Sequence, residues 1–171
     1  GDEKALEIVR LSLEKMAAGG MYDHAGGGFH RYSTDREWLV PHFEKMLYDN
    51  AQLVPLYLEA HQLTGEADFA RVARETLDYL VREMTSPDGA FYSATDADSI
   101  TPDGHSEEGW FFTWTPAEIR SILPENVARM VETYYAVTEG GNFEHRNVLH
   151  TPAPLAEVAA QLGVAPAELR T

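Results

Sequence analysis

The chain contains no cysteine. That absence excludes a disulfide framework, a thiol nucleophile and a thiolate metal site, and it makes a cytoplasmic location the expectation. Long hydrophobic runs are also missing. No stretch approaches the roughly 18 apolar residues of a membrane span. The opening Gly1-Asp2-Glu3-Lys4 has no signal-peptide pattern. Positive charge is scarce: 13 Lys plus Arg stand against 28 Asp plus Glu, a formal net charge of -15. Such a field repels phosphate backbones and anionic lipid, so nucleic acid and membrane surfaces are set aside as partners.

What remains is ordinary globular material. Hydrophobic residues make up 44% and charged residues 24% of 171, enough for one domain with a sizeable core. The chain starts almost inside a helix and stops at Thr171 within a helix-like segment. We therefore expect an internal piece of a longer protein.

Periodicity gives mostly helix. Over residues 3–18, Leu6, Val9, Leu13 and Met16 form one stripe, closed by Gly19-Gly20. A Gly-rich loop fills 19–41, with short strands expected at Phe29–Tyr32 and Trp38–Val40. Pro41 is a favoured first helical residue, so a second helix is expected from Pro41 to about Leu63, bent by the interior Pro55. A tight turn at 64–68 leads to a third helix ending near Met84. Ser86-Pro87-Asp88-Gly89 then signals a turn. A second long loop follows to residue 115, with strands expected at Phe91–Tyr92 and Trp110–Trp114. Thr115-Pro116-Ala117-Glu118 reads as a capping box, opening a helical stretch that is broken at Pro124 and ends near Tyr135. Pro154–Leu162 and the residues from Pro166 onward also read as helical. Antiparallel helices place alternate connections at the same end. The two long loops should therefore lie at the same end, with the tight turn at 64–68 at the other.

Of 18 aromatic residues, 12 lie in or beside those two loops: Tyr22, Phe29, Tyr32, Trp38, Phe43 and Tyr48 by the first, Phe91, Tyr92, Trp110, Phe111, Phe112 and Trp114 in the second. Loops are normally polar. The enrichment reads either as a platform for stacking sugar rings or as loops folded back to plug the mouth of a helical array.

Two polar constellations accompany the aromatics. The first is His30, Arg31 and Tyr32, then His42 and Glu44, then Tyr48, Asp49 and Asn50. In a helix's first turn, His42 and Glu44 would sit where the dipole favours a carboxylate and a neutral imidazole, suiting general-base work. The plainer reading makes Glu44 a cap and His42 a structural hydrogen-bonding residue. The second constellation is Asp96, Asp98, Glu107 and Glu108. Paired carboxylates serve glycoside hydrolysis, a hard cation or plain loop hydrogen bonds. An EF-hand is rejected, because Ile100 and Thr101 occupy the places of an oxygen ligand and the sharp-turn glycine. His24, His30 and His42 lack the helical zinc spacing. No Ser occupies a nucleophile elbow, and no Lys-Ser or Lys-Thr follows Gly26–Gly28 to make a phosphate loop. No metal or cofactor is called.

The strings GGGFHRYSTD, WLVPHFEKMLYDNA, FYSATDADS with EEG and WTP, and NFEHRNVLH resemble the YyaL or spermatogenesis-associated protein 20 family over about residues 15–150. The resemblance implies an N-terminal thioredoxin-like domain elsewhere in the parent protein. It also implies an all-α (α/α) toroid similar to six-hairpin glycosidases and N-acylglucosamine 2-epimerases, with short β-hairpin-like loops on one face. Residues 1–171 would be a single fragment of that toroid, too short for the full ring. Ile100 to Ser106 departs from the tighter loop expected of the family. Open toroid ends would favour self-association.

Carbohydrate processing on a small sugar or glycan is the expected function, as an epimerase/isomerase or a glycoside hydrolase. His30, His42, Glu44, Asp96, Asp98 and Glu107 are the catalytic candidates. Arg31, Tyr32, Trp38, Tyr48, Asn50 and Trp110 are the substrate-binding candidates. A converging His pair would favour epimerisation, and two facing carboxylates hydrolysis. A non-catalytic glycan- or protein-binding module accompanying the thioredoxin-like domain is the alternative. A third reading makes the motif residues scaffold.

Overall fold

The computed structural model describes residues 2–169. Among them are six α-helices and four two-stranded antiparallel ribbons. No helix among the described residues is long and apolar enough to cross a membrane. The chain divides into two compact units, Gly1–Phe111 and Phe112–Thr171.

The first unit is built on α1 (Glu3–Ala18), α2 (Leu47–Thr64) and α3 (Ala67–Glu83). Asp2 caps α1 by accepting from the N–H groups of Lys4 and Ala5. Gly65 adopts φ +77° and ends α2, leaving a short turn before α3. The two helices pack as a hairpin over Tyr57, Ala60, Phe69, Val72 and Ala73. Leu13 of α1 and Met21, Tyr22 and Phe29 of the Gly-rich loop complete this core. Phe29 stacks on Tyr57 at 5.3 Å, and the buried Tyr57 hydroxyl donates to the Leu13 carbonyl at 2.8 Å. Several loop aromatics are therefore core, as the plugging reading expects.

The loops make three ribbons. β1 (Tyr32–Ser33) pairs with β2 (Pro41–His42), and β3 (Lys45–Met46) pairs with β4 (Ala94–Thr95). β5 (Asp98–Ile100) and β6 (Ser106–Glu108) form a hairpin. The β3–β4 pairing joins the first long loop to the second, so both lie at one end of the helix hairpin, as helix alternation requires.

The expected helix start at Pro41 is corrected. Pro41 and His42 are ladder residues, and Arg31 N–H donates to the Glu44 carbonyl at 2.8 Å. Residues 41–46 are thus held extended, and α2 opens only at Leu47. His42 and Glu44 do not sit on a helical first turn. Pro55 stays inside one uninterrupted helix. The strands expected at Phe91–Tyr92 and Trp110–Trp114 are present only in part, the second as Thr113–Trp114. Phe91 makes only an isolated bridge to Thr85, and residues 110–112 form a 3₁₀ turn.

Asn50 bolts the loop to α2. Its side-chain oxygen accepts from Phe29 N–H at 2.7 Å, and its amide donates to the carbonyls of Phe29 at 3.0 Å and Met46 at 2.9 Å. The residue is fully buried. Leu at this position would orphan a buried backbone donor and weaken two acceptors, at about 1–3 kcal/mol for each group left unsatisfied. Asn50→Leu is expected to cost about 3 kcal/mol in urea unfolding. A loss below about 1 kcal/mol would show that the loop does not depend on this clamp.

The second unit repeats the device. β7 (Thr113–Trp114) pairs with β8 (Asn147–Val148), and α4 (Pro116–Ile122), α5 (Glu125–Tyr134) and α6 (Leu155–Leu162) accompany them. Thr115 and Glu118 form the expected capping box. Buried Asn147 accepts from Thr138 N–H at 3.0 Å and donates to the carbonyls of Trp114 and Thr138 at 3.0 Å each. Pro166–Leu169 is a 3₁₀ turn, and the helix expected beyond it reaches residues 170 and 171, outside the described residues.

Candidate functional site

The Gly-rich loop owes its glycines to packing. Gly27 and Gly28 take φ of +76° and +77°, a region open to glycine at little cost. A Cβ on Gly28 would lie 2.4 Å from the Tyr79 ring, and one on Gly27 would lie 2.8 Å from the Glu75 carbonyl oxygen. The loop is pressed onto α3 at these two positions.

Beneath it lies a buried ion pair. Lys45 Nζ, on a side chain 1% exposed, meets Asp23 Oδ2 at 2.6 Å; the Asp23 side chain is 12% exposed. Lys45 also donates to the Gly27 carbonyl at 2.8 Å and lies 4.3 Å from the Tyr79 ring centroid. Burial opposes both charges and pulls the Lys45 ammonium below its usual range. It also works to raise Asp23, but the Lys45 charge and hydrogen bond outweigh it and hold that carboxyl below the usual carboxylate range.

His30 belongs to this interior. It is 2% exposed, and its Nδ1 is 2.9 Å from the Phe43 carbonyl. Burial, with Lys45 nearby, pushes its pKa down to about 3. The structure thus withdraws His30 from proton exchange with a substrate. Asn50 likewise leaves the binding set, because all its contacts are backbone clamps. Trp38 is partly buried against the core, at φ +62°.

At the surface the outcome differs. His42, with its side chain 26% exposed, places Nε2 3.2 Å from Glu44 Oε2 and Nδ1 2.7 Å from Glu108 Oε1. Arg31 Nη1 donates to the same Glu44 oxygen at 2.8 Å. The hydrogen bond it donates to Glu44, together with the neighbouring Tyr48, raises the exposed Arg31 guanidinium above its usual range and keeps it protonated. Tyr32 leans on the His42 ring at 5.1 Å between centroids, and half of its surface is free, as is half of Tyr48's. Arg31, Tyr32, His42 and Glu44 therefore converge, with Tyr48 beside Arg31. A protonated His42 ring donates to both carboxylates. A neutral ring satisfies one and leaves a lone pair toward the other.

The hairpin register selects the fourth member. Glu107 stands opposite Ser99 and Glu108 opposite Asp98. Side chains alternate along a strand, so adjacent glutamates point to opposite faces. Glu108, not Glu107, reaches His42. Gly109, at φ +75°, lets the chain lie against Phe43; a Cβ there would be 2.5 Å from its ring. Asp96 turns inward on its own loop, accepting from Asp98 N–H at 3.1 Å, and Asp98 accepts from Ser106 Oγ at 3.2 Å. Trp110 is partly buried in the turn after the hairpin. Among the described residues no group of three or more His, Asp or Glu side chains is arranged to hold a metal ion. Glu108 belongs to the second constellation but not to the catalytic candidates, because the Glu107-Glu108 doublet does not say which member faces inward; the Asp23–Lys45 ion pair was not anticipated.

No family model matches the chain. It is 40% identical to human spermatogenesis-associated protein 20 over 188 aligned positions, covering 98% of this chain and 24% of that protein. The mouse protein of the same name is 43% identical over 81% of this chain and 19% of its own length. An uncharacterized protein of Caenorhabditis elegans is 35% identical over 98% of this chain and 26% of its own length. The chain thus spans between 19% and 26% of the length of these relatives.

Proposed function

The chain belongs to the spermatogenesis-associated protein 20 family, and from that premise we propose that it contributes a carbohydrate-processing site whose proton carrier is His42. The observation that carries the reading is the partly exposed His42 ring with a carboxylate at each nitrogen. Half-exposed Tyr32 and Tyr48 offer rigid aromatic faces of the kind on which sugars stack.

The arrangement favours epimerase or isomerase chemistry over hydrolysis. Glycosidases need their two carboxyl groups to flank the scissile bond, and here an imidazole occupies the space between Glu44 and Glu108. In the proposed step, His42 takes the proton from the carbon beside a sugar carbonyl, and the electron pair forms an enediolate. Glu44 and Glu108 orient the ring and stabilise its charged form, and Arg31 offsets the charge on the oxygen. With His30 buried, one base serves the site in place of the His pair. The toroid architecture implied by the family resemblance is part of the same proposal.

The test uses the full-length protein in D₂O with free aldohexoses and N-acetylhexosamines, following loss of the C2 proton by NMR. Exchange is expected, and His42→Ala should reduce it at least about a hundredfold, within the usual range for general acid–base groups. Hydrolysis of glycosides without exchange would replace this reading with the hydrolase. Saturable binding with neither reaction would favour a non-catalytic binding module, a reading supported by Glu44 Oε2 already serving both Arg31 and His42.

A further inference from the structure

The β5–β6 hairpin stands outside the core. Its strand residues are exposed except the part-buried Ser99, and Ile100 shows 71% of its surface. The hairpin is satisfied largely by its own groups. Thr101 N–H donates to the His105 carbonyl at 2.8 Å, the Thr101 hydroxyl accepts from His105 N–H at 3.1 Å, and Ser106 Oγ donates to Asp98 at 3.2 Å. A lone two-stranded hairpin is only marginally stable in water, so this one depends on what holds its base and its side. The base is a narrow neck. Gly109 N–H donates to the Ala97 carbonyl at 2.9 Å, and Gly109 lies against Phe43. The side is held by Glu108 Oε1, which is 2.7 Å from His42 Nδ1 and 3.5 Å from the Phe43 N–H nitrogen. A part-exposed pair of this kind contributes little to stability, as a contact that opens and closes requires.

We propose that β5–β6 is a movable arm beside the site, latched through Glu108 and drawn tighter when His42 carries a charge. The imidazole governs the latch because it faces two acceptors. A neutral ring has one N–H for Glu44 and Glu108 together, whereas an imidazolium donates to both and attracts both. Glu44 keeps its bond from Arg31 in either state, so Glu108 gains the more from the charge. The other groups that act on this ring are the Arg31 guanidinium and the Tyr32 ring from β1, Asp98 opposite Glu108 on β5, and buried His30, whose protonation a charge on His42 opposes. Tyr48 and Asp49 of α2 act on Arg31 in turn. Under the isomerising reading above, the arm is drawn in while His42 holds the sugar's proton.

Hydrogen exchange of the full-length protein without sugar tests the latch alone. Wild type, Glu108→Gln and Glu107→Gln are compared at about pD 5.5 and about pD 8.5, on either side of ordinary imidazole titration. Helix α3 serves as the internal reference. Glu108→Gln keeps an acceptor for a neutral ring and loses only the charge. At the lower pD its amides over 98–108 should exchange about fivefold faster than those of wild type, the scale of a part-exposed ion pair. At the higher pD the two should exchange alike. Glu107→Gln removes a charge from the opposite face of β6 and should match wild type at both. Comparison at one pD cancels the intrinsic exchange chemistry and the titrations that the proteins share. Glu108→Gln equal to wild type at the lower pD, or matched there by Glu107→Gln, overturns the latch, as does equal acceleration of α3. The same acceleration at both pD values overturns its control by His42. A protein that exchanges no sugar proton yet shows the predicted pattern loses the isomerase reading and keeps the arm.

Discussion

Replacing Lys45 with Met is expected to remove about 3–5 kcal/mol of folding stability, the usual cost of breaking a buried ion pair from one side. Met fills most of the same volume, so the loss is electrostatic. It strands the Asp23 carboxylate, whose side chain is 12% exposed, without its cation at 2.6 Å. It also leaves the Gly27 carbonyl without its donor at 2.8 Å and removes the charge over Tyr79. Domains are stable by only about 5–15 kcal/mol, so the variant should be near its unfolding threshold. The double variant Asp23→Asn/Lys45→Met discriminates the cause. An Asn oxygen can still accept from the N–H groups of Ala25 and Gly26, as Asp23 Oδ1 does at 3.0 and 2.8 Å. Much of the loss should therefore return. Urea unfolding of the three proteins measures this, and a Lys45→Met midpoint close to wild type would mean the pair is not what holds the loop on α3.

That role explains why the long sequence strings were only partly legible as chemistry. Asn50 and Asn147 each spend a whole side chain clamping backbone. Lys45 occupies the same string as His42 and Glu44. Polar residues in a distinctive run look alike in sequence whether they face a ligand or replace missing backbone partners. The distinction is burial, which depends on contacts between Gly28 and Tyr79, or Gly109 and Phe43, far apart along the chain.

The helices were readable because apolar periodicity is local. So was the placing of the two long loops at one end, which follows from counting antiparallel helices; that they pair through β3 and β4 was not. The helix start at Pro41 was misjudged for the opposite reason. Proline is well suited to a first helical turn, but strand partners at Tyr32 and Ser33 hold residues 41 and 42 extended. Glu108 was hidden by register, since a one-residue change in hairpin pairing exchanges the faces of Glu107 and Glu108.

The buried imidazole predicts an early acid sensitivity. His30 binds its proton only near pH 3 in the folded chain, against an ordinary value of 6.5. Its folded pKa is depressed, so its contribution to stability is fully present above pH 6.5. Below that the unfolded chain gains a proton that the native state refuses, and stability falls until the folded group titrates near 3. At about 1.4 kcal/mol per unit, the loss between pH 6.5 and 4 is about 3 kcal/mol. Asp23 is also depressed, but its ordinary value is 3.8, so its loss begins only below that pH. Asp49, whose carboxyl is raised above 3.8 by burial, titrates in the same window with the opposite sign but is common to wild type and His30→Gln, so the difference between the two curves reports on His30. His30→Gln keeps an amide able to donate to the Phe43 carbonyl, which lies 2.9 Å from Nδ1 in the native chain, and it does not titrate. Its stability should be lower at pH 7.5 yet nearly flat down to pH 4, so the two curves converge as the solution is acidified. Urea midpoints at four or five pH values give the slopes. Parallel curves for wild type and His30→Gln would place the acid-sensitive group elsewhere and return His30 to the accessible side of the cluster.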